Sequence, residues 1–367
     1  MLLYRYWTGS INFLILGFAM GITIGFGVKV GQRFGAKDYE GMRNYMANGF
    51  YLIVIISAIM TPLTMYFCKD ILELTGTPEE IFSDSYNYLI WILAGTFFSM
   101  LYNAASAILR AIGDSRTPLF ALIFSSVLNI ILDLLFVIVF HMGTTGVAVA
   151  TVTSQGISGV LCLFYMFRHY EVLRIRKEEF QVSLEKMGAL LKQGIPMALQ
   201  FSITAIGTII VQGAVNVYGE NYMAGFSAAG KLQNIVATVY VAFGATIATY
   251  VGQNWGAGKK ERVLMGVNCT QIMILIYSVF AMALVFFFSK YMTLLFVSAS
   301  ETEVIDVAVL YFRMVFWCYP FLGSIFLYRN TLPSKTRPHS YPAFTSFTSS
   351  LKRFKDARLP SKICSPA

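Results

Sequence analysis

The chain has 367 residues, 56% of them hydrophobic and 13% charged, with a formal net charge of +9 and a mean hydropathy of +0.63. So little charge cannot cover a water-soluble globule of this size, which makes lipid the solvent for much of its surface. The positive balance does not point to nucleic acid, because the basic residues fall in short segments between apolar runs and not on one folded face.

Runs of about 20 apolar residues predict nine membrane-spanning helices, near 8–30, 46–68, 86–108, 118–141, 145–167, 194–218, 223–252, 266–289 and 306–328. Each is expected to be helical, since a backbone in hydrocarbon must satisfy its own hydrogen bonds. The first run continues without a small-residue cleavage site and so reads as a span, not as a cleavable signal.

The loops between the runs alternate in charge. Arg33, Lys37 and Arg43, then Arg110 and Arg116, then Arg168 to Lys192, then Lys259, Lys260 and Arg262 all fall on one side. The other side carries Asp70, Glu73, Glu79, Glu80, Asp84, Glu301 and Glu303 or is short and uncharged. The basic side is therefore assigned to the cytoplasm. Nine spans put residue 1 outside, so the reading expects a further span upstream and a chain truncated at its start.

One internal repeat stands out. Gly31-Gln32-Arg33-Phe34-Gly35-Ala36-Lys37 reads against Gly252-Gln253-Asn254-Trp255-Gly256-Ala257-Gly258, with Glu40 and Glu261 in register. Both copies end a long span and enter a basic loop, the behaviour of two parallel halves. Residues 168–193, charged and partly amphipathic, are predicted to connect them along the membrane surface.

Asp133 is the one acid deep within a predicted span, where a carboxylate costs about 2.5–3.5 kcal/mol to insert and needs a partner or a wet cavity. Asn129 lies one turn earlier on the same face, and the following span supplies Thr151 and Gln155. A desolvated carboxylate among such oxygens suits a proton or a metal cation. Lys231 is placed to snorkel or to line a cavity. Asn103, Gln155, Gln200, Gln212, Asn216 and Lys231 are the candidates for contact with a substrate. The 17 methionines and 56 aromatic residues suit an adaptable, greasy cavity wall.

Other chemistries lack their residues. The five cysteines (Cys68, Cys162, Cys269, Cys318, Cys364) are scattered without a CxxC pair, and His141, His169 and His339 sit in loops or the tail, which argues against a metal centre or disulfide frame. No paired catalytic groups occur at membrane depth, so an enzyme is not expected. No Walker-type loop supports an ATP-driven pump.

Taken together, the Gly-Gln-x-x-Gly-Ala repeat, Leu109-Arg-Ala-Ile-Gly-Asp-Ser-Arg-Thr-Pro118, Asn129-Ile-Ile-Leu-Asp133, Gly143-Thr-Thr-Gly-Val-Ala-Val-Ala-Thr151 and Gly194-Ile-Pro196 resemble the multidrug and toxic compound extrusion (MATE) family, in its prokaryotic, DinF-like branch. The resemblance implies an all-α polytopic membrane protein of two pseudo-symmetric helical bundles, with about nine of twelve helices present. It assigns an N-lobe to residues 1–167, a connector to 168–193, a C-lobe to 194–330 and a divergent tail to 331–367. It implies a multi-pass protein of a prokaryotic cell membrane, exchanging Na⁺ or H⁺ for small organic compounds, cationic or amphipathic, as a monomer with no other cofactor. It places the coupling cation at Asp133, Asn129 and Thr151, while the acid such members carry on their first helix has no counterpart. A lipid-linked sugar flippase and a non-functional fragment are the alternatives. The tail holds five of the ten prolines and departs within a recognisable motif, so a frameshifted or prematurely ended frame is expected there.

Overall fold

The computed structural model describes the backbone of residues 2–74, 77, 79–216 and 218–331, with the side chains of 2–12, 74, 209, 212, 216 and 220 outside what is described. Among these residues every regular element is helical. The long helices are α1 (Leu2–Gly35), α2 (Tyr39–Tyr66), α6 (Arg116–Leu134), α7 (Gly143–His169), α8 (Leu184–Asn216), α9 (Glu220–Gly256) and α10 (Lys260–Thr293). The shorter ones are α3 (Cys68–Leu74), α4 (Glu79–Ala94), α5 (Thr96–Ala111), α11 (Thr302–Val315) and α12 (Tyr319–Thr331). Eight spans are long and apolar enough to cross a membrane, and the pair α4 and α5, bent by 49° where they meet, makes a ninth.

Two of the predicted spans are therefore broken. The run at 86–108 divides at Gly95, where a β-carbon would collide with the Val152 side chain of α7. The run at 306–328 divides at a 3₁₀ turn, Phe316–Cys318. A third irregularity follows Asp133, where α6 passes into a π-helical turn, Leu135–Val139. Helices also outrun the apolar segments at their basic ends, because the first and last turns of a long helix can stand in water without losing their hydrogen bonds.

The repeat is visible in the helix ends. α1 ends at Gly35 and α9 at Gly256, and α2 starts at Tyr39 and α10 at Lys260, each pair 221 residues apart. The copies also touch each other: a β-carbon at Gly35 would run into the Gln253 carbonyl oxygen, and one at Gly256 into that of Gln32. Only glycine allows this reciprocal approach.

Helix α1 is the axis of the packing, lying along α8, α5 and α9. Against α8 its Gly21 and Gly25 meet Ala198 and Gly194, where added β-carbons would stand 2.5 Å from the facing Cα atoms. Against α5 its Gly27 and Gly31 meet Ala107 and Ala111. Lipid gives helices no hydrophobic reason to associate, so close backbone approach at small residues must supply the dispersion energy.

The connecting segment is folded against α2. Residues 184–193 are the first turns of α8, with Met187 and Leu190 buried among α1, α2 and α5 side chains. Ahead of them, two 3₁₀ turns, Glu171–Leu173 and Lys177–Phe180, carry Glu179 onto Arg43, which the charge pattern had placed in a loop. Arg43 Nε donates to both carboxylate oxygens at 2.8 and 2.7 Å, and Arg43 Nη1 donates to the Val172 carbonyl at 3.2 Å. Asn48 receives the Ser183 N–H and donates to the Gln181 carbonyl. The Arg43 guanidinium holds the Glu179 carboxyl below the ordinary glutamate range, outweighing the burial that pushes it up. Residues from 332 on lie outside the described residues, and with them the predicted tail.

Two outcomes follow. Gly256→Ala lowers the melting temperature of the detergent-solubilised protein, since overpacking costs about 1–3 kcal/mol, whereas Gly188→Ala, which has nothing within 4 Å, leaves it unchanged or raises it; equal melting of the two would contradict the seam. Glu179→Ala leaves Arg43 as a buried unpaired charge and costs about 3–5 kcal/mol. A lowered folded value makes the docking contribution complete above the ordinary glutamate value of 4.5 and lost as pH falls from there through the folded value. The protection of amides at 170–183, taken relative to their intrinsic exchange rate at each pH, should therefore fall on acidification in the wild type, and a pH-independent protection would refute the assignment.

Candidate functional site

The polar residues of the first half converge. Asp133 lies roughly 25 Å along α6 from Arg116, at the basic end, so it sits beyond mid-membrane. Its neighbour Asn129 donates through Nδ2 to Asp133 Oδ1 and to Thr151 Oγ1 of α7, both at 3.4 Å. Thr151 in turn donates to the Val147 carbonyl at 2.9 Å. All three side chains are half-buried. Their spacing brings together one carboxylate, one amide and one hydroxyl, a set of oxygens that suits a hard cation, with the amide turned over, or a proton.

From this cluster a line of polar groups runs toward the basic end. Gln155, one turn beyond Thr151, accepts a short hydrogen bond from Ser99 Oγ of α5. Asn103, one turn beyond Ser99, donates to the Ser99 carbonyl at 2.7 Å. Two turns further on α5 comes Arg110. Sequence reading singled out Asn103 and Gln155 but not the serine that joins them.

Arg110 opens onto a cavity of about 110 Å³ lined by α1, α5, α8, α9 and α12. Its walls include Ile24, Val28, Met197, Phe201, Val241 and Phe326, with Gln200, Thr249, Asn330, Arg110 and Arg329 as the polar and charged side chains. Next to the lining residues Gly252 and Ala111, Gln253 donates to the Ala111 carbonyl at 2.8 Å. Of the candidate substrate contacts, Gln200 lines this cavity. Lys231 does not line this cavity; it is exposed on α9 with Nζ 5.7 Å from the Phe296 ring centroid. The side chains of Gln212 and Asn216 lie outside the described residues.

Both cavity arginines escaped the sequence reading. Arg110 was assigned to a basic loop because the apolar run stops at 108, but α5 continues to Ala111 and keeps it on the helix. The signal was its register: Asn103 and Arg110 are seven residues apart, on one face.

The motif around Arg110 closes the basic end. Gly113 turns the chain at φ +99°, and Asp114 Oδ1 accepts the N–H groups of Arg116 and Thr117 at 3.0 Å, satisfying the start of α6. Tyr170, at the end of α7, donates to Asp114 Oδ2 at 3.0 Å. Burial, with the adjoining carboxylate, pushes the Tyr170 hydroxyl up to about 12. Asp114 is a fastening here and is not among the residues lining the cavity beside Arg110.

The MatE family model matches residues 7–135 and 196–352. The chain belongs to the MatE family. Among its relatives, the probable multidrug resistance protein YpnP of Bacillus subtilis is 31% identical over 87% of this chain and 71% of its own length. The FAD transporter of Shewanella oneidensis is 22% identical over 91% of this chain and 74% of its own. Of solved structures, the outward-facing conformation of a multidrug resistance MATE family transporter of the MOP superfamily superposes with a TM-score of 0.83 at 20% identity, covering 91% of this chain and 74% of that one. MATE in complex with MaL6 gives 0.82 at 21%, covering 91% and 76%. The fold and family of a multi-span cell-membrane transporter are thereby established for this MatE chain.

Proposed function

We propose that this MatE protein exports small amphipathic organic compounds in exchange for Na⁺ or H⁺, by alternating access. The observation that carries the reading is the Asp133, Asn129 and Thr151 cluster, a carboxylate within a span that accepts from the Asn129 amide, which also bonds the Thr151 hydroxyl. Intramembrane carboxylates are costly and are retained where they bind ions or protons. The multidrug resistance relatives support an organic substrate, and the cavity walls, apolar with a few polar points, suit one.

In this scheme a cation at Asp133 draws the Asn129 and Thr151 oxygens inward and neutralises the carboxylate. The change passes along Gln155, Ser99 and Asn103 on α7 and α5 toward the cavity. A cation and a substrate that each favour a different arrangement of these helices weaken each other's binding by the same factor. Export is then the release of substrate when the cation loads, and reloading from the cytoplasm when it leaves. The lipid-linked flippase reading gains one specific point, the two arginines in the cavity, because such a substrate carries phosphate.

The test is transport by the full chain in proteoliposomes under an imposed Na⁺ or proton gradient. Asp133→Asn keeps the shape and removes the titratable charge, so gradient-driven transport should fall at least tenfold with an unchanged melting temperature. Thr151→Val should shift the ion concentration for half-maximal transport roughly tenfold, by the worth of one hydrogen bond to a charged partner. Transport by Asp133→Asn with the wild-type gradient dependence would remove the coupling site from Asp133.

A further inference from the structure

The central cavity is positive. Arg110 enters it from the last turn of α5 and Arg329 from the last turn of α12, one from each half of the chain. No aspartate or glutamate is among the lining residues. The ion pairs of the described residues are Arg33 with Asp38, Arg43 with Glu179 and Arg174 with Glu171, so neither cavity arginine is in one. A helix C-terminus offers each about half a negative charge, which leaves most of two guanidinium charges without compensation.

Arg329 is held in place by aromatic rings. Its guanidinium carbon lies 5.1 Å from the Phe201 centroid and 5.0 Å from that of Phe326. Cation-π contact uses the face of the guanidinium and leaves its N–H donors, which lie in the plane, for a ligand. The neutral polar side chains nearby, Gln200, Thr249 and Asn330, can donate as well. Arginine is the residue whose fork of donors matches a carboxylate or phosphate.

We propose that Arg110 and Arg329 form an anion site in the central cavity, which takes the carboxylate or phosphate of an amphipathic organic anion while Met197, Phe201 and Phe326 receive its apolar part. This rests on the export reading and narrows its substrate class, from cationic or amphipathic compounds to anionic ones. A bare organic cation meets two like charges there and no carboxylate. The anionic group belongs either to a soluble compound or to a lipid headgroup.

Binding to the full chain in phosphatidylcholine nanodiscs, read by fluorescence anisotropy without any ion gradient, tests the site with carboxyfluorescein as the anion and ethidium as the cation. Carboxyfluorescein should bind at least tenfold more tightly than ethidium and be displaced by inorganic phosphate. The Arg110→Gln, Arg329→Gln pair should weaken carboxyfluorescein at least tenfold, while the Arg110→Lys, Arg329→Lys pair, which keeps the charge, should retain most of the affinity. Ethidium binding as tightly as carboxyfluorescein, or carboxyfluorescein binding unchanged in the glutamine pair, overturns the proposal; if that pair does not fold, the wild-type comparison of the two dyes decides. In phosphatidylglycerol nanodiscs, a fall in carboxyfluorescein affinity absent from the glutamine pair identifies a lipid headgroup as the competing anion, and an unchanged affinity identifies a soluble one. Because no gradient is present, failure here leaves coupling at Asp133 untouched, and loss of coupling leaves the anion site standing.

Discussion

The close approach of α1 to its neighbours sets the positions of everything else. Its glycines recur four residues apart on each face, so one face at Gly21 and Gly25 takes α8 and another at Gly27 and Gly31 takes α5. Lipid surrounding the bundle offers no hydrophobic drive to hold these helices together, and larger residues would separate their axes. The separation matters because α5 and α8 both carry cavity residues, Arg110 on one and Gln200 and Phe201 on the other. A wider seam would open the cavity to lipid.

The two polar centres are separated in depth but share helices. Asp133 and Thr151 lie toward the acidic end, Arg110 and Arg329 toward the basic end, and α7, which carries Thr151, is bonded through Gln155 to α5, which carries Arg110. The negative centre holds one carboxylate and the positive centre two guanidiniums, and the neutral hydrogen-bonding groups of Gln155, Ser99 and Asn103 lie between them. Neutral groups can reorient as a set without moving charge through the membrane. The π-helical turn after Asp133 adds a place where α6 can change its winding near the carboxylate, which is where such turns recur in proteins.

The spans were legible because lipid demands uninterrupted apolar length, and the repeat because glycine pairs at fixed offset leave a pattern no other residue can replace. Asp133, Asn129 and Thr151 were legible for a related reason, since a polar side chain in such a run is rare enough to notice. What hydropathy could not show were the charges at helix ends. Arg43 and Arg110 were read as loop residues because charge was taken to end a span, yet both remain on helices and turn inward, one onto Glu179 and the other into the cavity. The fold-back of 170–183 depends on Arg43, Asn48 and Tyr51 meeting backbone and carboxylate groups more than 120 residues away, contacts that no local pattern encodes. The break at Gly95 depends likewise on Val152 in a different helix.

The reciprocal contact of the two repeat copies has an energetic consequence. At Gly35 and Gly256 the hydrogen in place of a β-carbon points at a carbonyl oxygen of the other copy, giving a pair of Cα–H···O interactions worth about 0.5–1 kcal/mol each. Parting the two copies at that point exposes almost no oily surface, and the freed carbonyl groups are already bonded within their helices. The two contacts together contribute only about 1–2 kcal/mol to holding the copies at that point. A junction built from large apolar side chains would resist parting by the whole of its buried area, whereas this one resists at that point by two weak contacts.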